Sequence, residues 1–92
     1  MSTIAVGAVS PSVSSSVPVT VQVLLNANSS RSEAIIQNAS TGALYIGLGS
    51  NPSVNAYSAK LYTDDVLTTA FNGQIFGLFA VPNGSAMVTE LS

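Results

Sequence analysis

The side chains able to do chemistry are few and poorly assorted. The chain has 15 Ser and 7 Thr but neither His nor Cys, so a hydroxyl nucleophile has no imidazole to take its proton. Ser58 and Lys60 fall on one face of a strand, as a Ser–Lys pair would require, but the same alternation describes a polar outer face. Asp64-Asp65 is the only carboxylate pair. Adjacent strand residues point to opposite faces, so these two can share a proton only within a turn. They also fall well short of the roughly six to eight oxygens that calcium takes. A turn is their simpler role. Gly47-Leu48-Gly49-Ser50-Asn51 has the look of half a phosphate loop, yet no Lys-Ser/Thr pair follows and no helical pattern begins there. It too reads as a turn. Zinc, iron–sulfur and haem-thiolate sites lack ligands altogether. The expectation is a non-enzymatic protein with no catalytic residue, metal, cofactor or small-molecule substrate.

Charge is scarce. Only 7% of the 92 residues are charged, against about 25% in an ordinary soluble domain; Ser, Thr, Asn and Gln fill the gap. Arg31 and Lys60 are the only basic residues, and neutralising two phosphates gives a salt slope of only about −1.8. Nucleic acid is therefore not an expected partner. The longest apolar run, Ile75 to Val81, includes Gly77 and is far shorter than the roughly 20 residues of a spanning helix, so no membrane is expected either. No Lys or Arg precedes the apolar stretch Ile4–Val9, which argues against a secretory signal. With no Cys, the fold must stand on burial alone. Weakly charged surfaces repel one another little and tend to associate, which suggests a homo-oligomer, a dimer or trimer, with much of its surface covered.

The elements that would position these residues follow a period of two. Val17, Val19, Val21, Val23 and Leu25 alternate with Pro18, Thr20, Gln22 and Leu24, the pattern of a half-buried strand. Ala34–Asn38 and Ala43–Leu48 are short β-rich runs, with Ala39-Ser40-Thr41-Gly42 between them as a hairpin connection. Ala56–Thr63 alternates again. Asn72-Gly73 separates Val66–Phe71 from Gln74–Val81, and Pro82-Asn83-Gly84-Ser85 separates that strand from Ala86–Leu91. Those two turn signals predict a three-strand meander in the C-terminal third. No window shows sustained helical spacing. The fold class is all-β: a single antiparallel β-sandwich, jelly-roll-like or Ig-like, with an extended N-terminal arm. Residues 1–18 form an arm or edge strand with a Ser/Pro-rich linker, and residues 19–92 form the sandwich domain.

Surface contacts are expected at three places. Phe76 and Leu78 share one face of a strand apolar on both sides, which suggests cover by another subunit or by a folded-back arm. Arg31 and Glu33, two residues apart in a nearly uncharged chain, could set register at a neutral interface. Ile4 and Val6 lie in a segment able to add a strand across an interface. Tyr45, Tyr57 and Tyr62 could form a sugar-stacking patch, although cross-strand packing is the commoner role of sheet tyrosines. Three Asn-X-Ser sequons, at Asn28, Asn38 and Asn83, carry little weight in a chain so rich in both residues.

From Arg31 onward the sequence resembles small virion proteins of tailed bacteriophages. The resemblance rests on Arg31, the pair Ile35-Ile36, Asn38-Ala39-Ser40, then Leu44-Tyr45-Ile46-Gly47, the strand Gln74–Ala80 and a closing Val88-Thr89-Glu90-Leu91. It covers about two-thirds of the chain and consists of strand and turn patterns, with no catalytic signature. It implies a β-sandwich capsid cement or decoration protein, made in the host cytoplasm. Such a protein would sit on the outer capsid surface, bind the major capsid protein at capsomer junctions and stabilise the shell. Tail, fibre and receptor-binding components are similar enough to stand as the alternative, with function then in the loops Gly49–Val54 and Pro82–Ser85.

Overall fold

Alternating side chains build eight strands in the computed structural model, which describes residues 4–9, 21–81 and 85–91. The strands are β1 Ile4–Val9, β2 Gln22–Leu25, β3 Glu33–Asn38, β4 Leu44–Leu48, β5 Ala59–Leu61, β6 Val66–Thr69, β7 Ile75–Phe79 and β8 Ala86–Leu91. They form two four-stranded antiparallel sheets, ordered β1-β8-β3-β6 and β2-β7-β4-β5. β1 pairs with β8, β2 with β7, β3 with β6 and β4 with β5. The chain is thus one long antiparallel ribbon, folded back at the β4–β5 connection and curled until β3 meets β8 and β4 meets β7. That is a jelly roll, which settles the choice between the two sandwich types. Ile4–Val9 is the edge strand of the chain's own first sheet, in register with β8 from Ile4↔Leu91 to Val9↔Ala86. The expected linker at residues 10–18 lies outside the described residues, as do Thr20, the earlier part of the Val17 strand, and residues 82–84 of the last connection.

Two expectations about connectivity are overturned. β6, β7 and β8 do not form a meander, because β7 belongs to the opposite sheet from the other two. Likewise β3 and β4 are no hairpin; residues 39–43 carry the chain from one sheet to the other. Every connection except β4–β5 makes such a crossing. Asn-Gly specifies a tight reversal locally, but whether the following strand returns to the same sheet is decided by its long-range partners.

The core lies between the sheets. Ala34, Ile36, Ala86 and Val88 from the first sheet meet Leu44, Ile46, Leu61, Ile75 and Phe79 from the second. β2 departs from strict alternation. A bulge between Val23 and Leu25 brings the consecutive residues Leu24 and Leu25 both against the core, while Val23 is 44% exposed. A bulge inserts one residue and so resets the face that follows. Of the expected inward stripe, Val23 therefore turns outward, while Leu25 keeps its place and is joined by Leu24. Gly77 makes room for this: a Cβ there would lie 2.9 Å from Leu24 Cδ1.

Chain crossings strand backbone groups outside the ladders, and these need partners. At one end of the sandwich Asn38, fully buried, supplies them. Its Nδ2 donates to the Gly42 carbonyl at 2.9 Å and the Leu61 carbonyl at 2.8 Å. Its Oδ1 accepts from the Ser40 backbone N–H at 2.9 Å and from the Ser40 hydroxyl. Its own backbone exchanges hydrogen bonds with Asp64 and Asp65. One side chain thereby joins the β3–β4 and β5–β6 crossings. Asn38→Ala takes the amide away from the Leu61 carbonyl and the Ser40 N–H, leaving the Gly42 carbonyl only the Ser40 hydroxyl, and is expected to cost about 2–4 kcal/mol. The check is a lower denaturant midpoint with an unchanged m-value; a loss under about 0.5 kcal/mol would mean that water replaces these bonds.

Candidate functional site

Arg31 occupies the other end of the sandwich. It lies just before β3, not on it, and its guanidinium is buried. Nε donates to Glu90 Oε2 at 2.8 Å. Nη1 donates to the carbonyls of Phe71 at 2.9 Å and Gly73 at 3.0 Å, and Nη2 to that of Asn26. The planar fork thus closes the β2–β3 and β6–β7 crossings onto β8, matching several acceptors that a single ammonium could not reach together. The expected face shared by Arg31 and Glu33 does not exist: Arg31 pairs with Glu90, and Glu33 is half-buried at the start of β3, opposite Leu91. Sequence reasoning missed Glu90, 59 positions away, because nothing local marks it as the partner.

The remaining expected contact residues fall on different surfaces. Ile4 and Val6 hold register positions beside Leu91 and Thr89 in the first sheet, the sheet that also carries Glu33. Phe76 and Leu78 lie on the outer face of the second sheet, since Ile75 and Phe79 face the core. Leu78 is only 5% exposed within the single chain, so little of it is left for a partner to cover. What stays open there is half-buried Phe76 with its register neighbour, exposed Val23.

The same outer face continues into an aromatic strip. Tyr45 stands opposite Leu78 on one side and Lys60 on the other. Tyr57 precedes β5 and Tyr62 follows it, at 45% and 60% exposure. The Tyr45 and Tyr57 ring centroids are 5.1 Å apart and tilted by 55°, within the range favoured for aromatic pairs. Lys60 Nζ lies 5.4 Å from the Tyr45 centroid and 5.1 Å from that of Tyr62, a cation–π arrangement. Hydrogen bonding to Tyr62, then charge interaction with Tyr45, holds the Lys60 ammonium above the usual lysine value. The group therefore stays charged across the neutral range.

Beside Tyr57 the 49–58 loop borders a half-open cavity of about 250 Å³, lined by Gly47, Ser50, Asn51, Pro52, Tyr57 and Ser58 among others. Gly47 is a requirement of this loop. A Cβ there would meet the Ser50 carbonyl oxygen at 2.1 Å and Pro52 Cδ at 2.8 Å. The phosphate-loop resemblance dissolves accordingly: Gly47 ends no strand before a helix but lets the loop lie on β4, and Gly49 turns the chain at φ +83°.

Ser58 and Lys60 are not brought together. The Ser58 Oγ accepts the Leu48 N–H at 3.1 Å, while the Lys60 amine sits among tyrosines. Asp64 and Asp65 take the turn role: Asp64 has φ 69°, a conformation Asp tolerates, and Asp65 Oδ2 accepts the Tyr62 N–H at 2.9 Å. Among the described residues no group of three His, Cys, Asp or Glu is placed to hold a metal ion. Comparison with protein-family models, curated proteins and solved structures gives no match.

Two sets of substitutions test these assignments. Arg31→Met is expected to cost about 3–5 kcal/mol, as does loss of one member of a buried pair elsewhere, and Arg31→Lys should recover little of it. A lysine variant within about 0.5 kcal/mol of the parent would show that charge alone suffices. Leu78→Ser should lower stability by about 2–5 kcal/mol, whereas Val23→Ser should leave it within about 0.5 kcal/mol. Light scattering on the Val23 variant then reads self-association separately from folding.

Proposed function

We propose that this chain is a non-enzymatic structural protein of a virion, a capsid cement protein that binds the outer capsid surface at capsomer junctions. Its partners in this reading are the major capsid protein and further copies of itself. The observation that carries it is the distribution of charge. Arg31 and Glu90 close on each other inside the domain, leaving Glu33, Lys60, Asp64 and Asp65 as the only other charged side chains. Meanwhile Val23, Val66 and Met87 are exposed. Charged residues are depleted at the cores of interfaces, and neutral Ser, Thr and Asn can pair there without the desolvation cost of ions. A shell-wide stabiliser needs many shallow contacts of this kind and no active site. The hydroxyl and carboxylate groups that might suggest catalysis are engaged in turns and ladders instead. The resemblance of residues 31–91 to small phage virion proteins points the same way.

The alternative is a tail, fibre or receptor-binding component, favoured by the exposed Tyr57 and Tyr62 next to the Gly49–Val54 loop. Quantitative mass spectrometry on purified particles of the source distinguishes the two. A copy number equal to that of the major capsid protein, or a simple fraction of it, is the expected result for cement. A handful of copies moves the chain to the tail, and absence from the particle overturns both readings.

A further inference from the structure

We propose that the cavity beside Tyr57 is a saccharide site that takes one pyranose ring of a neutral polysaccharide. Three observations converge on it. The first is the lining: Ser50, Asn51 and Ser58 contribute hydroxyl and amide groups, and Tyr57 contributes a ring. Sugar hydroxyls donate and accept at once, and hydroxyl and amide side chains do the same without carrying charge. The C–H face of a pyranose is apolar and suits an exposed aromatic ring.

The second is size. At about 250 Å³ the cavity falls below the roughly 300–1,000 Å³ of drug-sized sites, so it admits a single ring and not an extended ligand. The strip Tyr57–Tyr45–Lys60–Tyr62 continues outward from it, offering further exposed surface to the next units of a polymer. A nucleotide would stack as well, but its phosphates need cations, and Lys60 is the only one outside the buried pair.

The third is preorganisation. Ser53 and Ala56 exchange backbone hydrogen bonds at 2.7 and 3.2 Å, Pro52 is buried, and the loop rests on Gly47 with no room for a side chain. These contacts tie the wall of the cavity to itself and to β4, which lowers the ordering cost of binding. The site is independent of where in a particle the chain resides.

All three tyrosines of the chain belong to this strip, and there is no Trp. Intrinsic tyrosine fluorescence therefore reports on it alone. The test is native-gel affinity electrophoresis of the isolated full chain in gels holding dextran, hydroxyethyl cellulose, galactomannan or xylan, with fluorescence titration against the same polymers. The expected result is retardation and a saturable fluorescence change with at least one polymer. Tyr57→Ala should weaken that binding about tenfold, Tyr57→Phe should retain it, and Val66→Ser on the opposite sheet should leave it unchanged. Should the alanine variant lose its β-sheet circular dichroism, Asn51→Ala at an exposed loop position serves instead. No retardation in any of the four polymers, or equal retardation of parent and cavity variants, overturns the proposal and leaves the capsid reading untouched.

Discussion

The contact on which the rest depends is the buried guanidinium of Arg31. A charge taken out of water costs several kcal/mol unless its hydrogen-bonding capacity is met. Here Glu90 and the carbonyls of Asn26, Phe71 and Gly73 meet it. The three carbonyls are backbone groups at the points where the chain crosses from one sheet to the other. Asn38 does the corresponding work at the far end of β3 with a neutral amide. β3, one of the two inner strands of the first sheet, is therefore flanked by two polar clamps, with an apolar layer between them. A domain without cysteine gains its rigidity at the ends of the sandwich from these two side chains, while the core supplies the bulk of the burial.

The same contact shapes the exterior. Of six charged side chains, two face each other internally, so the outer faces are set by Thr, Ser, Asn, aliphatic and tyrosine residues. The two sheets then differ in character. The first presents a mixed row of Gln37, Val66 and Met87 across three strands. The second presents Val23 and Phe76 at one side and the tyrosine strip at the other.

The fold class was legible because alternation is written into each strand: every β-rich run from Ala34 onward became a strand within a few residues of its expected limits. The connectivity was not. Asn72-Gly73 carries a strong turn signal, yet β6 and β7 part company there because each finds its partner elsewhere, β6 on β3 and β7 on β2 and β4. The inward face of β2 was misread for a different reason, since a bulge shifts the pattern by one residue and leaves no mark in the alternation. At the candidate sites, the tyrosines were visible as residue types, but their convergence on the 49–58 loop required the fold. Arg31 was visible as a charge and was paired with Glu33 two residues on, while its actual partner Glu90 was hidden by distance along the chain. Asn38 was noticed as a strand end, a sequon and part of the family resemblance but not as a clamp, although its burial closes it to modification and assigns it that role.

The position of β8 has a consequence for how the molecule comes into being. β8 is the last strand in chain order and lies between β1 and β3, and it also carries the acid that neutralises Arg31. During synthesis β1 and β3 emerge with a vacancy between them, and the Arg31 side chain has no counter-ion. The first sheet cannot close until residues 86–91 have left the ribosome. Closure of this half of the sandwich thus waits on its last strand, and until that strand arrives the apolar strands made before it lack their cover. Dependence on such long-range pairing is the regime in which folding is slow, on the order of milliseconds to seconds, and in which a neighbouring nascent chain could lend the missing strand.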